Sequence, residues 1–191
     1  MSRLKSAKRR SCASKRRCNR LFPAAVLSIA AADIRIKQYV EDNVPQGHDR
    51  PTLGGRILLR KVYNSGAAFG LLHGSPRLVT GLSALLGALL AARDALLLKR
   101  RGRILEKTGM ALLTGGALSN LSDRVLRGKV VDYFAFGSRW KKWSRLTFNL
   151  GDLCIAAGAV LALLGRPAGL PGKKKEHPSG SGNQEQTAYK G

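Results

Sequence analysis

Four stretches of the chain are rich enough in apolar residues to form helices that span a lipid bilayer. They are residues 21–40, 78–98, 104–122 and 146–165, and each is close to the roughly 20 residues that a membrane-spanning helix needs. The second stretch has no charged residue in its first 15 positions, whereas a helix of a soluble bundle keeps a polar face. The pattern therefore predicts an all-α membrane protein with four transmembrane helices.

The basic residues fix the orientation of these helices. Nine of the 34 Lys and Arg residues lie in residues 1–20, five in 99–107 and five in 166–191. Because cytoplasmic segments next to membrane spans are enriched in Lys and Arg, both termini and the second connection are predicted to be cytoplasmic. Residues 41–77 and 124–147 then face outward, although the second of these segments is itself basic.

The outward segments carry two further signals. Residues 56–63 are strand-like and precede an Asn-Ser-Gly turn, which predicts a small extracytoplasmic β-element. Trp140 and Trp143 are interleaved with basic residues, as in an interfacial segment that lies along lipid headgroups. The expected organisation is a disordered basic tail over residues 1–20, a membrane domain over 21–166 and a second disordered basic tail over 167–191.

The net charge of +23 would suggest a nucleic-acid partner if the protein were soluble. The charges bracket the apolar stretches instead, and no recognition helix, zinc-finger spacing or aromatic stacking platform accompanies them. Cys12, Cys18 and Cys154 form no disulfide framework, and no histidine stands at a metal-ligand spacing from them. The predicted partner is therefore membrane lipid, and no nucleic acid is expected.

Four carboxylates are predicted to meet at the outer membrane face: Asp33, Asp123, Asp132 and Asp152. Ionisable residues inside a bilayer are costly, so a functional role is the default hypothesis for them. The alternative is that each aspartate ends a helix or pairs with a nearby base. Convergence of four on one face favours function.

The neighbours of these aspartates separate their roles. Asn120, Asp123 and Arg124 share a helix face, and the adjacent Arg124 predicts an ionised, structural carboxylate at Asp123. Asp132 follows two valines and precedes Tyr-Phe, and Asp152 has Asn149 one turn before it. Two weakly compensated carboxylates that lie close together share a proton, which is the requirement of an aspartic catalytic pair.

Other uses of the carboxylates stay open on these residues alone. Asp123, Asp132 and Asp152 would suit Mg²⁺ or Ca²⁺, although nearby basic residues disfavour a cation site. A non-enzymatic membrane protein with structural acids and a carboxylate-lined transporter are the two further alternatives. No histidine lies near a candidate serine or cysteine nucleophile in the outer segments, apart from His48 and His73.

Four ordered blocks of the sequence resemble the motifs of the lipoprotein signal peptidases, also called signal peptidase II. They are "DIRIK" (33–37), "VYNSGAAFG" (62–70), "GGALSNLSDRVLRGKVVDYF" (115–134) and "FNLGD" (148–152). Their order and spacing agree with that family from about residue 21 to residue 165. The resemblance implies a four-helix membrane aspartic endopeptidase that removes signal peptides from bacterial prolipoproteins, cutting before a diacylglyceryl-modified cysteine, without a cofactor and without a metal.

Carried onto matching positions, the resemblance implies that Asp132 and Asp152 are the catalytic pair. The supporting and substrate-binding residues that it implies are Asn64, Asn120, Asp123, Arg124, Asn149, Asp33 and Lys37. It also places the active site near the extracytoplasmic face of a multi-pass protein of the bacterial cell membrane, with loops 41–70 and 134–147 closing on the peptide. The sequence departs from the family pattern at Ile34, Gly151 and Cys154.

Overall fold

Four α-helices and a four-stranded antiparallel sheet make up the described part of the computed structural model, which covers residues 2–66, 74–100, 102–137 and 146–166. Of residues 2–18 and 20, only the backbone is described. The elements in chain order are α1 (Ser2–Asn43), β1 (Arg50–Thr52), β2 (Ile57–Asn64), α2 (Pro76–Lys99), α3 (Ile104–Arg127), β3 (Val130–Phe136), β4 (Thr147–Phe148) and α4 (Leu150–Leu164).

The first three predicted apolar stretches lie within α1, α2 and α3, and the fourth (146–165) overlaps α4 but begins four residues before it. α1 begins at Ser2, so residues 2–20 are helical where the sequence led us to expect a disordered tail. Its first 20 residues contain no Gly or Pro and are rich in Lys, Arg, Ala and Ser, which a helix tolerates. The residues after 166, where a second tail is predicted, lie outside the described ranges.

By length and composition, one described helix, α2, is long and apolar enough to cross a membrane. α4 is apolar but has only 15 residues, and the hydropathy of α1 and α3 is lowered by charged residues in their interiors. The predicted number of four spans is therefore not established by helix composition. The fold is mostly helical with a small sheet.

The sheet is larger than the sequence indicated. Its strand order is β1-β2-β3-β4, and β2 lies within one residue of the predicted strand over 56–63. β3 and β4 occupy a region that we predicted to be a helix-to-helix connection with an interfacial segment. The β-branched and aromatic residues of β3 pair with a strand about 70 positions earlier in the chain, and such nonlocal pairing has no signature in the local pattern. Trp140 and Trp143 lie outside the described residues.

Glycines bring α3 and α4 into close contact. A Cβ atom at Gly109 would overlap the backbone nitrogen of Ala162 and lie 2.7 Å from the carbonyl oxygen of Gly158. A Cβ atom at Gly158 would in turn lie 2.5 Å from the backbone nitrogen of Leu113. Small residues of this kind let helix backbones approach in membrane proteins, and these contacts hold the second half of α4 against α3.

The substitution Gly109→Ala is expected to destabilise the protein by about 1–3 kcal/mol, because the added methyl group has no space between two backbones. Gly81→Ala is the matched control, because a Cβ atom at Gly81 of α2 has nothing within 4 Å and alanine favours the helix. Thermal unfolding in detergent should show a lower Tm for Gly109→Ala and an equal or higher Tm for Gly81→Ala. Equal effects of the two substitutions would contradict the proposed packing.

The polarity of the helical bundle is inverted relative to a soluble protein. Leu82, Leu85, Leu86 and Leu89 of α2 are 44–61% exposed. By contrast, several polar residues are buried between the helices: Asp33, Lys37, Glu106, Lys107, Ser119, Asn120 and Asp123. Such an apolar exterior marks a surface that lies against lipid or a partner protein.

Candidate active site

Asp132 lies in the middle of β3 and is 4% exposed. α3 ends at Arg127 and is capped by Gly128, whose φ of +70° is the left-handed conformation that glycine adopts without strain. This turn leads into β3 two residues later. Asp132 Oδ1 accepts a hydrogen bond of 2.7 Å from Asn149 Nδ2, and its Oδ2 accepts one of 3.1 Å from Asn64 Nδ2.

Asn64 reaches Asp132 because of the strand register. Val62 of β2 lies opposite Asp132 of β3, and Asn64 lies opposite Val130, so Asn64 and Asp132 are diagonal neighbours on one face of the sheet. Asn64 Oδ1 accepts from the backbone N–H of Gly66 at 3.0 Å, which leaves its NH₂ group for Asp132. Asn64 therefore contacts the carboxylate of Asp132 directly.

Asp152 is placed by the start of α4. Asn149 is the N-cap residue, and its Oδ1 accepts from the backbone N–H of Asp152 at 2.8 Å. In return, Asp152 Oδ2 accepts from the backbone N–H of Asn149 at 3.3 Å, which completes a capping box. Asp152 Oδ1 accepts a 2.8 Å hydrogen bond from Asn120 Nδ2 of α3.

Asn149 joins the two carboxylates. Its side-chain oxygen binds the backbone of Asp152, so its NH₂ group points to Asp132. Within the described ranges, no Lys, Arg or His forms an ion pair with Asp132 or Asp152. Neutral amide donors therefore hold both carboxylates. Asp152 is close enough to Asp132 for its charge to affect the pKa of Asp132.

The pKa of Asp132 is raised to about 7, because burial disfavours its charged form and the charge of Asp152 repels it. Hydrogen bonds from Asn64 and Asn149 offset part of this increase. Near neutral pH Asp132 is therefore partly protonated, and its proton can be shared with the adjacent carboxylate of Asp152. The arrangement can polarise a carbonyl group with the protonated acid while the ionised one removes a proton from water.

The raised pKa has a consequence for stability. Below about pH 4, Asp132 is protonated in both the folded and unfolded states. Between about pH 4 and pH 7 only the folded state keeps this proton, so rising pH favours unfolding, and above pH 7 the effect is complete. Relative to Asp132→Asn, the parent protein is expected to lose about 4 kcal/mol of unfolding free energy over this window.

The measurement is the Tm of the parent and of Asp132→Asn in detergent from pH 4 to pH 8. Their difference should grow up to about pH 7 and then stay constant. Asp42→Asn is the control, because Asp42 is exposed on α1. A difference between Asp132→Asn and the parent that does not change with pH would contradict the buried, protonated carboxyl group.

A buried lysine organises the polar interior beside this pair. Lys37 is fully buried, and its Nζ lies 2.9 Å from Asp33 Oδ2 and 3.0 Å from Asp123 Oδ2. It also donates to Ser119 Oγ at 3.1 Å and to Asn120 Oδ1 at 2.8 Å. Four acceptors on α1 and α3 thus surround one ammonium group, so the site already contains a positive charge.

Lys37 also determines the orientation of Asn120. Because an ammonium group only donates hydrogen bonds, the side-chain oxygen of Asn120 must face Lys37, and its NH₂ group then faces Asp152. The same principle applies to Asn64 and Asn149, whose oxygens each accept from a backbone N–H. Three asparagines are therefore locked with their NH₂ groups directed at the two carboxylates.

The predicted pairing of Asp123 with Arg124 was wrong. Asp123 lies 3.0 Å from Lys37 Nζ and 3.4 Å from Arg127 Nη1, because consecutive residues of a helix point in different directions. Arg124 instead donates to the carbonyl oxygens of Asn120, at 3.3 Å, and Gly66, at 3.2 Å. It thereby ties α3 to the segment that follows β2.

Sequence reasoning missed two residues that complete the site. Tyr133 donates from its hydroxyl to Asp33 Oδ1 at 3.0 Å, and the hydroxyl accepts from the backbone N–H of Leu150 at 2.9 Å. Ser119 donates to Asp33 Oδ2 at 2.6 Å. Tyr133 follows Asp132 in a strand, so its side chain points to the opposite face of the sheet, toward the helices. This alternation along the strand is the sequence signal that could have identified Tyr133 as a residue of the site.

The three residues that depart from the family pattern, Ile34, Gly151 and Cys154, differ in their packing. A Cβ atom at Gly151 would lie 2.8 Å from Asp33 Oδ2 and 3.0 Å from Asn149 Oδ1, so glycine relieves crowding next to the catalytic candidates. Ile34 and Cys154 are half-buried on α1 and α4. Among the residues that the structure describes, no group of three or more His, Cys, Asp and Glu side chains is arranged to hold a metal ion.

Comparison with known proteins gives consistent matches. The family model described as signal peptidase (SPase) II matches residues 25–166. The lipoprotein signal peptidase of Mesorhizobium japonicum is 37% identical over 146 residues, which cover 74% of this chain and 83% of that protein. The lipoprotein signal peptidase of Moorella thermoacetica is 32% identical over 155 residues, which cover 80% of this chain and 98% of that protein.

The fold also matches a solved structure. A bacterial membrane enzyme determined at 2.3 Å resolution by the in meso method superimposes with a TM-score of 0.65 at 20% identity. The match covers 75% of this chain and 85% of that one. The arrangement of four helices and a small sheet is therefore similar to that of a membrane enzyme.

Proposed function

This chain belongs to the signal peptidase II family of aspartic proteases, and from that premise we propose that Asp132 and Asp152 are its catalytic pair. Members of this family remove signal peptides from prolipoproteins, and this chain does the same. The single observation that supports the assignment most is the hydrogen-bonded link through Asn149, which contacts both carboxylates.

The proposed reaction is the attack of an activated water on the peptide carbonyl group. The ionised member of the pair accepts a proton from water, and the protonated member donates a hydrogen bond to the carbonyl oxygen. The resulting tetrahedral intermediate collapses when a proton passes to the leaving nitrogen. Amide donors suit this cycle because they stabilise a carboxylate less than an ion pair does, so the proton can move between Asp132 and Asp152.

The buried residues around the pair have positioning roles in this proposal. Lys37 and Asp33 hold Asn120 and Tyr133, and Asp123 accepts from the backbone N–H of Val131 at 3.4 Å, next to the catalytic strand position. Arg124 fixes the chain that follows Asn64. These residues support the catalytic geometry without contacting the substrate.

We further propose that α1, α2, α3 and α4 cross the bacterial cell membrane, with both termini in the cytoplasm. The exposed leucines of α2 and the buried charges between the helices support this topology, because a lipid-facing surface is apolar and charges face the bundle interior. The distribution of Lys and Arg supports the orientation. The sheet and the catalytic pair then lie near the extracytoplasmic face.

The proposed substrate is a prolipoprotein that carries a diacylglyceryl group on the cysteine after the cleaved bond. Its acyl chains can stay in the bilayer while the peptide reaches the pair at the membrane surface. Two alternative functions have less support. A structural role for the acids does not explain two adjacent carboxylates that form no ion pair with any Lys, Arg or His among the described residues. In a transporter site, Lys37 would compete with a transported cation.

The test is cleavage of a diacylglyceryl-modified precursor by the purified protein in detergent, with and without a chelator. We expect cleavage before the modified cysteine in both conditions, and much slower cleavage of the unmodified precursor. No cleavage by the folded protein would support a non-enzymatic role. Cleavage abolished by the chelator and restored by a divalent cation would instead support a metal site.

Asn149→Ser is expected to separate stability from activity. Serine retains N-cap function, so the Tm should stay near that of the parent, but its side chain is too short to reach Asp132. Loss of this hydrogen bond to a charged group should lower the cleavage rate about 10- to 100-fold. Asn149→Ala should cleave at the same lowered rate as Asn149→Ser, and it should also lose about 1 kcal/mol of stability because the N-cap is removed. Parental activity in Asn149→Ser would contradict the positioning role.

A further inference from the structure

Tyr133 contacts the start of α4 from the sheet. Its side chain points to the face of β3 opposite to that of Asp132, and it is 6% exposed in an apolar cluster with residues of α1 and β3. The hydroxyl accepts a hydrogen bond of 2.9 Å from the backbone N–H of Leu150, the first residue of α4. Because the first N–H groups of a helix have no partner within the helix, this contact supplies one from outside.

The hydroxyl of Tyr133 has a fixed orientation. Its single proton is donated to Asp33 Oδ1 at 3.0 Å, so its lone pairs face the N–H of Leu150. Asp33 is held in turn at its other oxygen, Oδ2, which lies 2.9 Å from Lys37 Nζ and accepts a 2.6 Å hydrogen bond from Ser119. The phenol group thus connects the buried polar cluster of α1 and α3 to the backbone of α4.

Two neighbouring residues of β3 hold the start of α4. The pairing of β3 with β4 ends at Phe148, and the next two residues of the chain are Asn149 and Leu150. Asn149 Nδ2 donates to Asp132 at 2.7 Å on one face of the strand. Leu150 donates to Tyr133 on the other face. Two contacts from opposite faces restrict both the rotation and the displacement of the helix start, which a single contact does not.

On the premise of the proposed function, we propose that Tyr133 is a positioning residue that keeps the carboxylate of Asp152 aligned with that of Asp132. Asp152 lies in the first turn of α4, two residues after Leu150, so any shift of that turn moves its carboxylate. A displacement of about 1 Å at a catalytic group can lower a rate by about 10²-fold. Because Tyr133 is buried on the face of β3 that points away from Asp132, it acts through α4 and does not contact the substrate.

The competing interpretation is that the hydroxyl only stabilises the fold by donating to Asp33. The two interpretations differ in what they change. A contact that is only stabilising affects the Tm and leaves the kinetic constants of the folded protein as they are. A contact that positions the catalytic pair lowers kcat in the folded protein and leaves KM unchanged, because the interaction is needed in the transition state and not for substrate binding.

The first test is Tyr133→Phe, which keeps the ring in the apolar cluster and removes the hydroxyl. At a temperature well below the Tm, kcat for a diacylglyceryl-modified precursor should fall about tenfold, with KM within about twofold of the parental value. Tyr63→Phe is the matched control, because Tyr63 packs against the same cluster and its hydroxyl donates to Glu41 of α1 at 3.4 Å. This control should keep the parental kcat.

The second test removes the other partner of the hydrogen bond. Leu150→Pro deletes the N–H group, and proline is favoured at the first position of a helix when the preceding residue is extended, as Asn149 is. Leu150→Ala is its control, because alanine also lacks the leucine side chain but keeps the N–H. Tyr133→Phe should lower kcat about tenfold in the Leu150→Ala background and less than about twofold in the Leu150→Pro background, since the effects of two contacting groups are not additive.

Three results would overturn the proposal. An unchanged kcat in Tyr133→Phe would show that the hydroxyl does not position the pair, and this result decides the matter even if Leu150→Pro does not fold. An equal loss of kcat in both Leu150 backgrounds would assign the effect to Asp33. A higher KM at the parental kcat would place Tyr133 in substrate binding. A parent protein that does not cleave the precursor would contradict the proposed function itself, which is a separate outcome.

Discussion

Replacing Asp132 or Asp152 by asparagine is expected to lower the rate of precursor cleavage by about 10³-fold or more. Asparagine keeps the size of the side chain but can neither accept a proton from water nor donate a carboxyl proton to the substrate. If the two carboxylates act as one unit linked through Asn149, as we propose, the double variant should be no slower than either single variant. The measurement is the initial rate on a diacylglyceryl-modified precursor at saturating concentration.

The control for this prediction is another buried aspartate. Asp94 of α2 is 6% exposed and accepts a 2.8 Å hydrogen bond from Thr114, a contact that asparagine can keep. Asp94→Asn should therefore retain cleavage, and the Tm of all three variants would verify that they are folded. Parental cleavage by Asp132→Asn or by Asp152→Asn would remove that residue from the catalytic pair.

Replacing Lys37 by methionine is expected to have the largest effect on stability. Methionine fills a similar volume, but Asp33 and Asp123 then lose their shared cation inside the protein. Breaking a buried ion pair from one side costs about 3–5 kcal/mol, which corresponds to a decrease in Tm of about 10 °C for a chain of this size. Cleavage should also fall, because Asn120 is no longer forced to direct its NH₂ group at Asp152.

The matched control is Lys99→Met. Lys99 is exposed in the last turn of α2, so its replacement should change the Tm by less than about 2 °C. A second substitution, Asn120→Ala, separates the two effects of Lys37, because it removes the contact with Asp152 and leaves the ion pairs intact. If Lys37→Met unfolds at the parental temperature, the buried ammonium group is not the organiser of this network.

Local sequence pattern predicted the helices well and the sheet poorly. Each of the four apolar stretches corresponds to one helix, apart from residues 146–149, because helix formation depends on residues within a few turns of one another. β2 was found because a turn signal follows it, whereas β3 was interpreted as part of an interfacial connection. Its partner, β2, is about 70 positions away, and pairing over that distance depends on how the helices bring the two strands together.

For the site, the sequence predicted different roles for Asp123 and for the candidate pair, but it misassigned the contacts of Asp123. Asp123 has an adjacent cation in the sequence, yet its partners are Lys37 and Arg127. The buried position of Lys37 among four acceptors could not be predicted, since those acceptors lie on two helices. The orientation of the three asparagine amides could not be predicted either, because it depends on which donor each amide oxygen faces.

The sequence by itself determined which residues are the candidates for the chemistry of this protein. Apolar stretches, basic flanks and ordered motif blocks require only local composition and spacing, and they identified Asp132 and Asp152 as the candidate pair. Only the tertiary structure decided that Asn149 links these two carboxylates and that Lys37 orients Asn120. Hydrogen bonds and ion pairs depend on distances of about 3 Å, and packing alone sets such distances between residues that are far apart in the chain.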